Sequence, residues 1–252
     1  MLGLHLFTIV LVVVMVNLAF WQLRRHNERV TFNESVRARS LDAPRSVDDL
    51  LALAHDGDAS AHGGDGATAP TDPGDLEWYL LQATGEYLAG EDLLLVNLSQ
   101  DGRAGVDPVS ALRLDDGRVL LVNRGFIPLS ETAPPPPSGN VTLVGRVRAP
   151  QEQRRGELTD PPTGELREMQ RLDPPRLAPQ LPGTVLPFYV DLLQSDPPDA
   201  PVLSRIAEPE LTLGPHLSYV VQWFVFSACA IAAWGFIVRR VLAAARRATT
   251  SA

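Results

Sequence analysis

Long apolar segments lie near both ends of the chain, and shorter alternating apolar runs fill the region between them. Residues 4–23 are almost entirely apolar, interrupted chiefly by His5 and Asn17. Residues 216–238 form the second such segment, which includes Gln222. Each segment is about as long as a helix that crosses a lipid bilayer, roughly 20 residues. The pattern therefore predicts two transmembrane helices.

A cleaved signal peptide is the alternative interpretation of the first segment. No basic residue precedes residues 4–23, no small-residue cleavage site follows them, and the apolar run is longer than a signal peptide requires. We therefore expect an uncleaved membrane anchor.

One stripe of small residues marks the second segment. Ala228, Ala232 and Gly235 share a helix face, and small residues allow helix backbones to approach closely. This face is a candidate contact for the first helix or for another membrane protein, although the general abundance of alanine explains it equally well.

The region between the two segments begins with a polar connector and a stretch of low complexity. Residues 55–75 consist largely of Ala, Gly, Asp, Pro, Ser and Thr, which bury too little apolar surface to fold. His55 and His62 lie there, with four aspartates among residues 55–74, but their spacing is irregular, so a solvated linker is favoured over a metal site.

Short runs bounded by turn residues follow, and they predict an antiparallel sheet. They lie at residues 76–88, 91–99, 108–114, 117–129, 140–150, 185–193 and 201–207. Asp116 and Gly117 are typical of a two-residue hairpin turn, and Pro134 to Pro137 predict an extended connector.

The predicted fold is an α+β membrane protein in which two transmembrane helices flank a mainly antiparallel β domain outside the cytoplasm. Its parts are a short N-terminal end (1–3), helix 1 (4–23), a connector (24–54), the insert (55–75), the β domain (76–214), helix 2 (216–238) and a basic tail (239–252).

Composition excludes several classes of function. The single cysteine, Cys229, cannot form an intramolecular disulfide or supply the paired thiolates of a zinc ribbon. All 22 cationic residues are arginines, which excludes Schiff-base and P-loop chemistry. The net charge of -8 argues against nucleic acid as a partner.

The start of the second helix carries the most informative chemistry. His216, Tyr219 and Trp223 share one helix face, with Gln222 at its border, and the first helix ends at the same membrane surface with Trp21, Gln22, Arg24 and Arg25. An axial imidazole, flat aromatic walls and guanidiniums for propionates are what haem requires. The alternative is an ordinary interfacial belt of Trp, Tyr and Arg.

Charge leaves the membrane orientation open. Arginines follow both apolar segments in similar number, and a middle region of this length translocates regardless of its charge.

Six segments follow one another along the chain: FWQLRRHNER, GEYL, GRVLLVNRGFIP, VTLVGRVR, PFYVDL and GPHLSYVVQWFVFSACAIAAWGFIVRR. In this order they resemble the surfeit-locus-one family of cytochrome c oxidase assembly factors. Phe126 departs from the Trp that the family commonly has, and the 55–75 insert has no counterpart. The structural motif shared with the family comprises Asn123, Arg124, Gly125 and Pro128.

The resemblance implies a non-enzymatic protein that aids the delivery of haem a, held transiently, to the catalytic subunit of a haem-copper oxidase. It implies His216 as the haem-iron ligand and haem a synthase as a further partner besides the lipid bilayer. It also places the β domain outside the cytoplasm and both termini inside, in a bacterial cell membrane.

Two other interpretations remain open. The chain is alternatively a scaffold that stabilises an oxidase subunit without binding haem, with His216 in a structural role. A membrane-tethered hydrolase is disfavoured because no nucleophile and base lie at an interpretable spacing.

Overall fold

The computed structural model describes residues 2–53, 72–153 and 155–250, with side chains described as far as residue 247. Two compact units are present. The first comprises Met1–Ser35 with Glu210–Ala252, and the second is Val36–Pro209. The greater part of the predicted insert, residues 55–71, lies outside the described residues.

Two helices dominate the first unit: α1, which covers Leu2–Leu41, and α4, which covers His216–Thr250. Both are long and apolar enough to cross a membrane. Helix α1 continues well beyond the predicted span because residues 24–41 contain no Gly or Pro, and the first proline afterwards is Pro44. Helix α4 begins at the predicted residue and continues into the predicted tail as far as Thr250.

The two helices pack along a narrow seam. Met15 and Ala19 are buried on α1, and Val220 and Ser227 are buried on α4. Ala228 and Ala232 are exposed, and a Cβ on half-buried Gly235 would meet no heavy atom within 4 Å, so of the two candidate contacts of the small-residue stripe the one with α1 is not observed. The face of α4 that lies at the seam is the one that carries Val220 and Ser227. Contact of the small-residue stripe with another membrane protein stays a prediction.

The second unit contains, within the described ranges, eight strands and two short α-helical segments. Their bounds are α2 at residues 47–53, β1 at Leu80–Tyr87, β2 at Leu93–Gln100, β3 at Arg103–Leu114, β4 at Arg118–Asn123, β5 at Ile127–Pro128, β6 at Asn140–Arg148, β7 at Glu168–Met169, α3 at Pro174–Leu177 and β8 at Thr184–Asp196. Single turns of 3-10 helix lie at Pro73–Leu76 and Ala178–Gln180.

Five of the strands close into a small barrel in the order β1, β6, β8, β4 and β3, with β1 pairing again with β3. Strands β2, β5 and β7 extend the sheet from β3. The pairs β4–β8 and β2–β7 are parallel and the other pairs in the described ranges are antiparallel, so the sheet is mixed but mainly antiparallel, as the sequence pattern predicts. Closure requires Gly85, because a Cβ there would overlap the carbonyl oxygen of Arg113.

Alternation along the strands sorts the apolar side chains into two cores. One face contributes Leu112, Leu120, Leu143 and Phe188 to the barrel interior. The opposite face contributes residues such as Leu121 to a second cluster, which also contains residues of β7 and α3.

Two local predictions differ from the structure. The β3–β4 turn contains residues 115–117, and only Gly117 among them has a positive φ, of 85°. Residues 201–207 form no strand beyond a single bridge between Phe126 and Ser204, because the chain turns at Pro201, where the backbone N–H of Leu203 donates to the carbonyl of Ala200 at 3.1 Å.

Candidate functional site

The candidate site lies where α4 begins. Gly214 adopts a φ of 64°, and the carbonyl of Pro215 accepts hydrogen bonds from the Tyr219 backbone N–H at 3.2 Å and from the Ser218 hydroxyl at 2.7 Å. These contacts fix the first turn of the helix and set the direction of His216, its first residue.

The His216 imidazole is held by a polar side chain of the opposite helix. Its Nδ1 lies 2.8 Å from Oε1 of Gln22 on α1. Because an amide oxygen accepts hydrogen bonds, this contact favours the neutral tautomer that carries its proton on Nδ1 and its lone pair on Nε2. A Cβ on Gly214 would lie 3.3 Å from Nε2, so glycine at that position keeps this edge of the ring uncrowded.

The other predicted cofactor residues of α4 lie apart from this pair. Tyr219 and Gln222 are exposed, and Trp223 is half-buried in an edge-on contact with Phe226 at 6.0 Å between ring centroids. Among the described residues, no hydrogen bond, ion pair or ring contact joins His216 to any of them.

The predicted residues of α1 also face outwards. Trp21 is 47% exposed and Arg24 is exposed. Arg25 forms an ion pair with Glu28 one turn later, at 2.8 Å. The structure therefore brings together His216 and Gln22, and it leaves the aromatic and cationic residues outside that contact.

A second histidine bridges the same two helices at their other end. Nε1 of Trp234 donates to Nδ1 of His5 at 2.8 Å, and the two rings meet edge-on. The sequence singled out His5 only as an interruption of the apolar run. The two helices are thus joined by a histidine contact near each end of their seam.

The Asn123 to Pro128 motif belongs to the β domain. Arg124 is buried, and its guanidinium makes two hydrogen bonds to the Asp199 carboxylate, at 2.8 and 2.6 Å. It also donates to the carbonyls of Pro134 and Pro135, at 2.8 and 3.1 Å. Arg124 therefore ties the proline-rich connector and the segment after β8 to the end of β4.

The rest of the motif acts through backbone conformation and strand pairing. Gly125 has a φ of 125°, and a Cβ there would lie 2.5 Å from the carbonyl oxygen of Ser204. Pro128 lies in β5 opposite Gly105 of β3. These positions shape the chain where it leaves β4.

Asn123 connects two buried carboxyl groups that the sequence reasoning missed. Its Nδ2 lies 3.0 Å from Asp107 and 3.3 Å from Asp191. The sequence feature that indicates them is an aspartate at an inward-facing position of an apolar strand, in V-D-P at Asp107 and in V-D-L at Asp191.

Similarity to known proteins extends over most of the chain. The sequence profile of the SURF1 family matches residues 9–228. A SURF1-like protein of Monosiga brevicollis is 29% identical over 194 residues, which cover 69% of this chain and 72% of the relative. Uncharacterised SURF1-like proteins of Mycobacterium bovis and Mycobacterium tuberculosis are each 27% identical over 236 residues, covering 91% of this chain and 80% of theirs.

Proposed function

Because this chain belongs to the SURF1 family, which is associated with cytochrome oxidase assembly, we propose that it aids the delivery or insertion of haem a into the catalytic subunit of a haem-copper cytochrome c oxidase. The observation that carries the proposal is the His216–Gln22 contact, which leaves one imidazole nitrogen of the helix seam free as a ligand.

The proposed setting is a bacterial cell membrane, crossed twice, with both termini in the cytoplasm and the β domain outside. Two helices long and apolar enough to span a bilayer, one on each side of the β domain in the chain, support this setting. Bacterial relatives that match most of the chain support it as well.

The residues around His216 fit haem chemically. Bound haem would supply an iron atom that an imidazole nitrogen can ligate. His216 would offer Nε2, and Gln22 would hold the ring through Nδ1, as outer hydrogen-bond partners of ligating histidines commonly do. Arg24 makes no ion pair among the described residues and would be available for a propionate, whereas Arg25 would first have to leave Glu28.

The alternative function is a scaffold that holds an oxidase subunit by contact alone. Its supporting observation is that His216 makes a helix-to-helix hydrogen bond, which a purely structural histidine also makes. Exposed Tyr219, Gln222 and Trp21 would then be contacts for the partner subunit. In either form the protein acts without catalysing a reaction.

The deciding experiment is a reduced-minus-oxidised spectrum of membranes from a deletion strain. The strain is complemented with the unaltered chain, with His216→Ala or with His5→Ala, which removes a histidine from the other end of the same seam. We expect the unaltered chain and His5→Ala to restore the haem a band, and His216→Ala to fail at equal protein level. Equal restoration by all three supports the scaffold. A haem a band that does not change on deletion contradicts both functions.

A further inference from the structure

A row of polar side chains is buried on one face of the barrel. Asp191 on β8 lies opposite Asn123 on β4, and Asp107 lies on the adjacent strand β3. Asp191, Asn123 and Asp107 are 3%, 3% and 5% exposed. Polar groups buried this deeply are stable only when their hydrogen bonds are satisfied.

Both amide hydrogens of the Asn123 side chain are used in hydrogen bonds. Its two amide hydrogens serve two carboxyl groups, Oδ2 of Asp107 at 3.0 Å and Oδ1 of Asp191 at 3.3 Å. Its oxygen accepts the backbone N–H of Gly125 at 3.2 Å. One amide group therefore holds two acids side by side in a water-poor environment, where both are unfavourable as anions together.

The surroundings of the two acids differ. Asp191 forms an ion pair with Arg148 at 3.3 Å and pairs across the strands with Arg146. No ion pair reaches Asp107 among the described residues, and its Oδ1 is buried without a hydrogen-bond partner. The negative charge therefore belongs on Asp191, and a proton belongs on Asp107.

Electrostatics agree with this assignment. Burial, with the neighbouring charge of Asp191, raises the pKa of Asp107 to about 7, against the lowering effect of the Asn123 hydrogen bond. Burial also raises the pKa of Asp191, but Arg148 and Arg146 counteract it.

The other charged groups of the row belong to ion pairs. They are Arg146 and Arg148 on β6, Glu77 before β1 and Glu208 after β8. Strand β2 presents the uncharged Leu95 opposite Asp107.

We propose that Asp107 is a proton-binding switch that keeps β3 closed against β2 and β4 when protonated and loosens this part of the barrel when ionised. The placement supports this effect. Asp107 pairs with Leu95 directly before the register shift of β2, and the next carbonyl, that of Pro108, accepts the backbone N–H of Arg124 at 2.9 Å. An ionised Asp107 is repelled by Asp191 at the point where these pairings meet.

The sign of the pH dependence follows from the raised pKa of Asp107. The stabilising effect of the protonated acid is complete below about pH 3.8, the unfolded value, and is lost as the pH rises through the folded pKa of about 7. The switch therefore operates between weakly acidic and neutral pH. It is independent of haem binding at His216.

The test uses the full chain in detergent micelles, titrated from pH 5 to pH 8.5. Infrared spectroscopy follows the carbonyl band of a protonated carboxylic acid, and hydrogen exchange, corrected for the intrinsic rate, follows residues 93–109. We expect the band to disappear across this range, and protection in these residues to fall by about tenfold or more. Asp107→Asn, which mimics the protonated acid, removes both changes and keeps protection high at pH 8.

Asp191→Asn provides the matched comparison on the same amide. It removes the neighbouring negative charge and is expected to shift the disappearance of the band to lower pH. The proposal is overturned if neither the carbonyl band nor the protection of the wild type changes with pH. It is also overturned if the wild type and Asp107→Asn show the same pH dependence. If Asp107→Asn does not fold, the proposal is tested by the wild-type titration together with the shift of the band in Asp191→Asn.

Discussion

Nδ1 of His216 and Oε1 of Gln22 lie 2.8 Å apart, so the first residue of α4 is oriented by a side chain 194 positions earlier in the chain. This hydrogen bond determines which imidazole nitrogen is free. Gln22 therefore belongs to the candidate site as the side chain that orients the histidine.

Replacing Gln22 by Ala tests this orientation. Loss of an outer hydrogen-bond partner commonly weakens metal affinity by about 10- to 100-fold, so we expect haem titrated into the purified Gln22→Ala protein to bind that much more weakly. The optical spectrum during titration gives the affinity. The matched control is Asn27→Ala, an exposed amide on α1, which is expected to bind as the wild type does. Equal affinities in the two variants would show that His216 needs no partner.

Replacing Arg124 by Lys tests the buried clamp of the β domain. Lysine cannot make the paired contact with Asp199 and also reach the carbonyls of Pro134 and Pro135. Lysine keeps the positive charge beside Asp199 but leaves buried carbonyls without a donor, so we expect a loss of about 1–3 kcal/mol in the free energy of unfolding. Thermal or urea unfolding of the purified chain measures it. Arg113→Lys, at a half-exposed pair with Glu86, is expected to change stability by less than about 1 kcal/mol.

Alanine substitutions at two glycines with positive φ distinguish the cost of backbone strain from the cost of steric overlap. Gly139 has a φ of 80°, and a Cβ added there would meet no heavy atom within 4 Å, so Gly139→Ala is expected to cost only about 1–2 kcal/mol for the left-handed backbone. Gly125→Ala adds an overlap with the Ser204 carbonyl oxygen, at 2.5 Å, and is expected to cost clearly more. Comparison of the two unfolding midpoints is the measurement, and equal losses would mean that the segment around Ser204 moves aside freely.

Deleting residues 57–71 tests the low-complexity insert, which lies outside the described residues. Its composition offers little apolar surface to a fold or a partner, so we expect oxidase assembly to be retained. The haem a band of complemented membranes measures this outcome. A lost band at normal protein level would instead give the insert a role in assembly.

Features that depend on local pattern can be predicted from the amino-acid sequence. The two apolar segments, six of the seven predicted strand regions and the start of α4 at His216 follow from hydrophobic length, alternation and the Gly214–Pro215 pair. The family resemblance singled out Asn123, Arg124 and Gly125, but it did not predict which residues they contact.

Contacts between residues far apart in the chain are not predicted by local pattern and are known only from the fold. The closed order of the barrel, the parallel pairing of β4 with β8 and the partners of Arg124 depend on contacts between residues far apart in the chain. The same is true of Gln22 beside His216 and of Asp107 beside Asp191. Alternation shows that a side chain faces inwards or outwards, but strand order and register decide which side chain lies next to it, and that neighbour determines its hydrogen bonds and its charge.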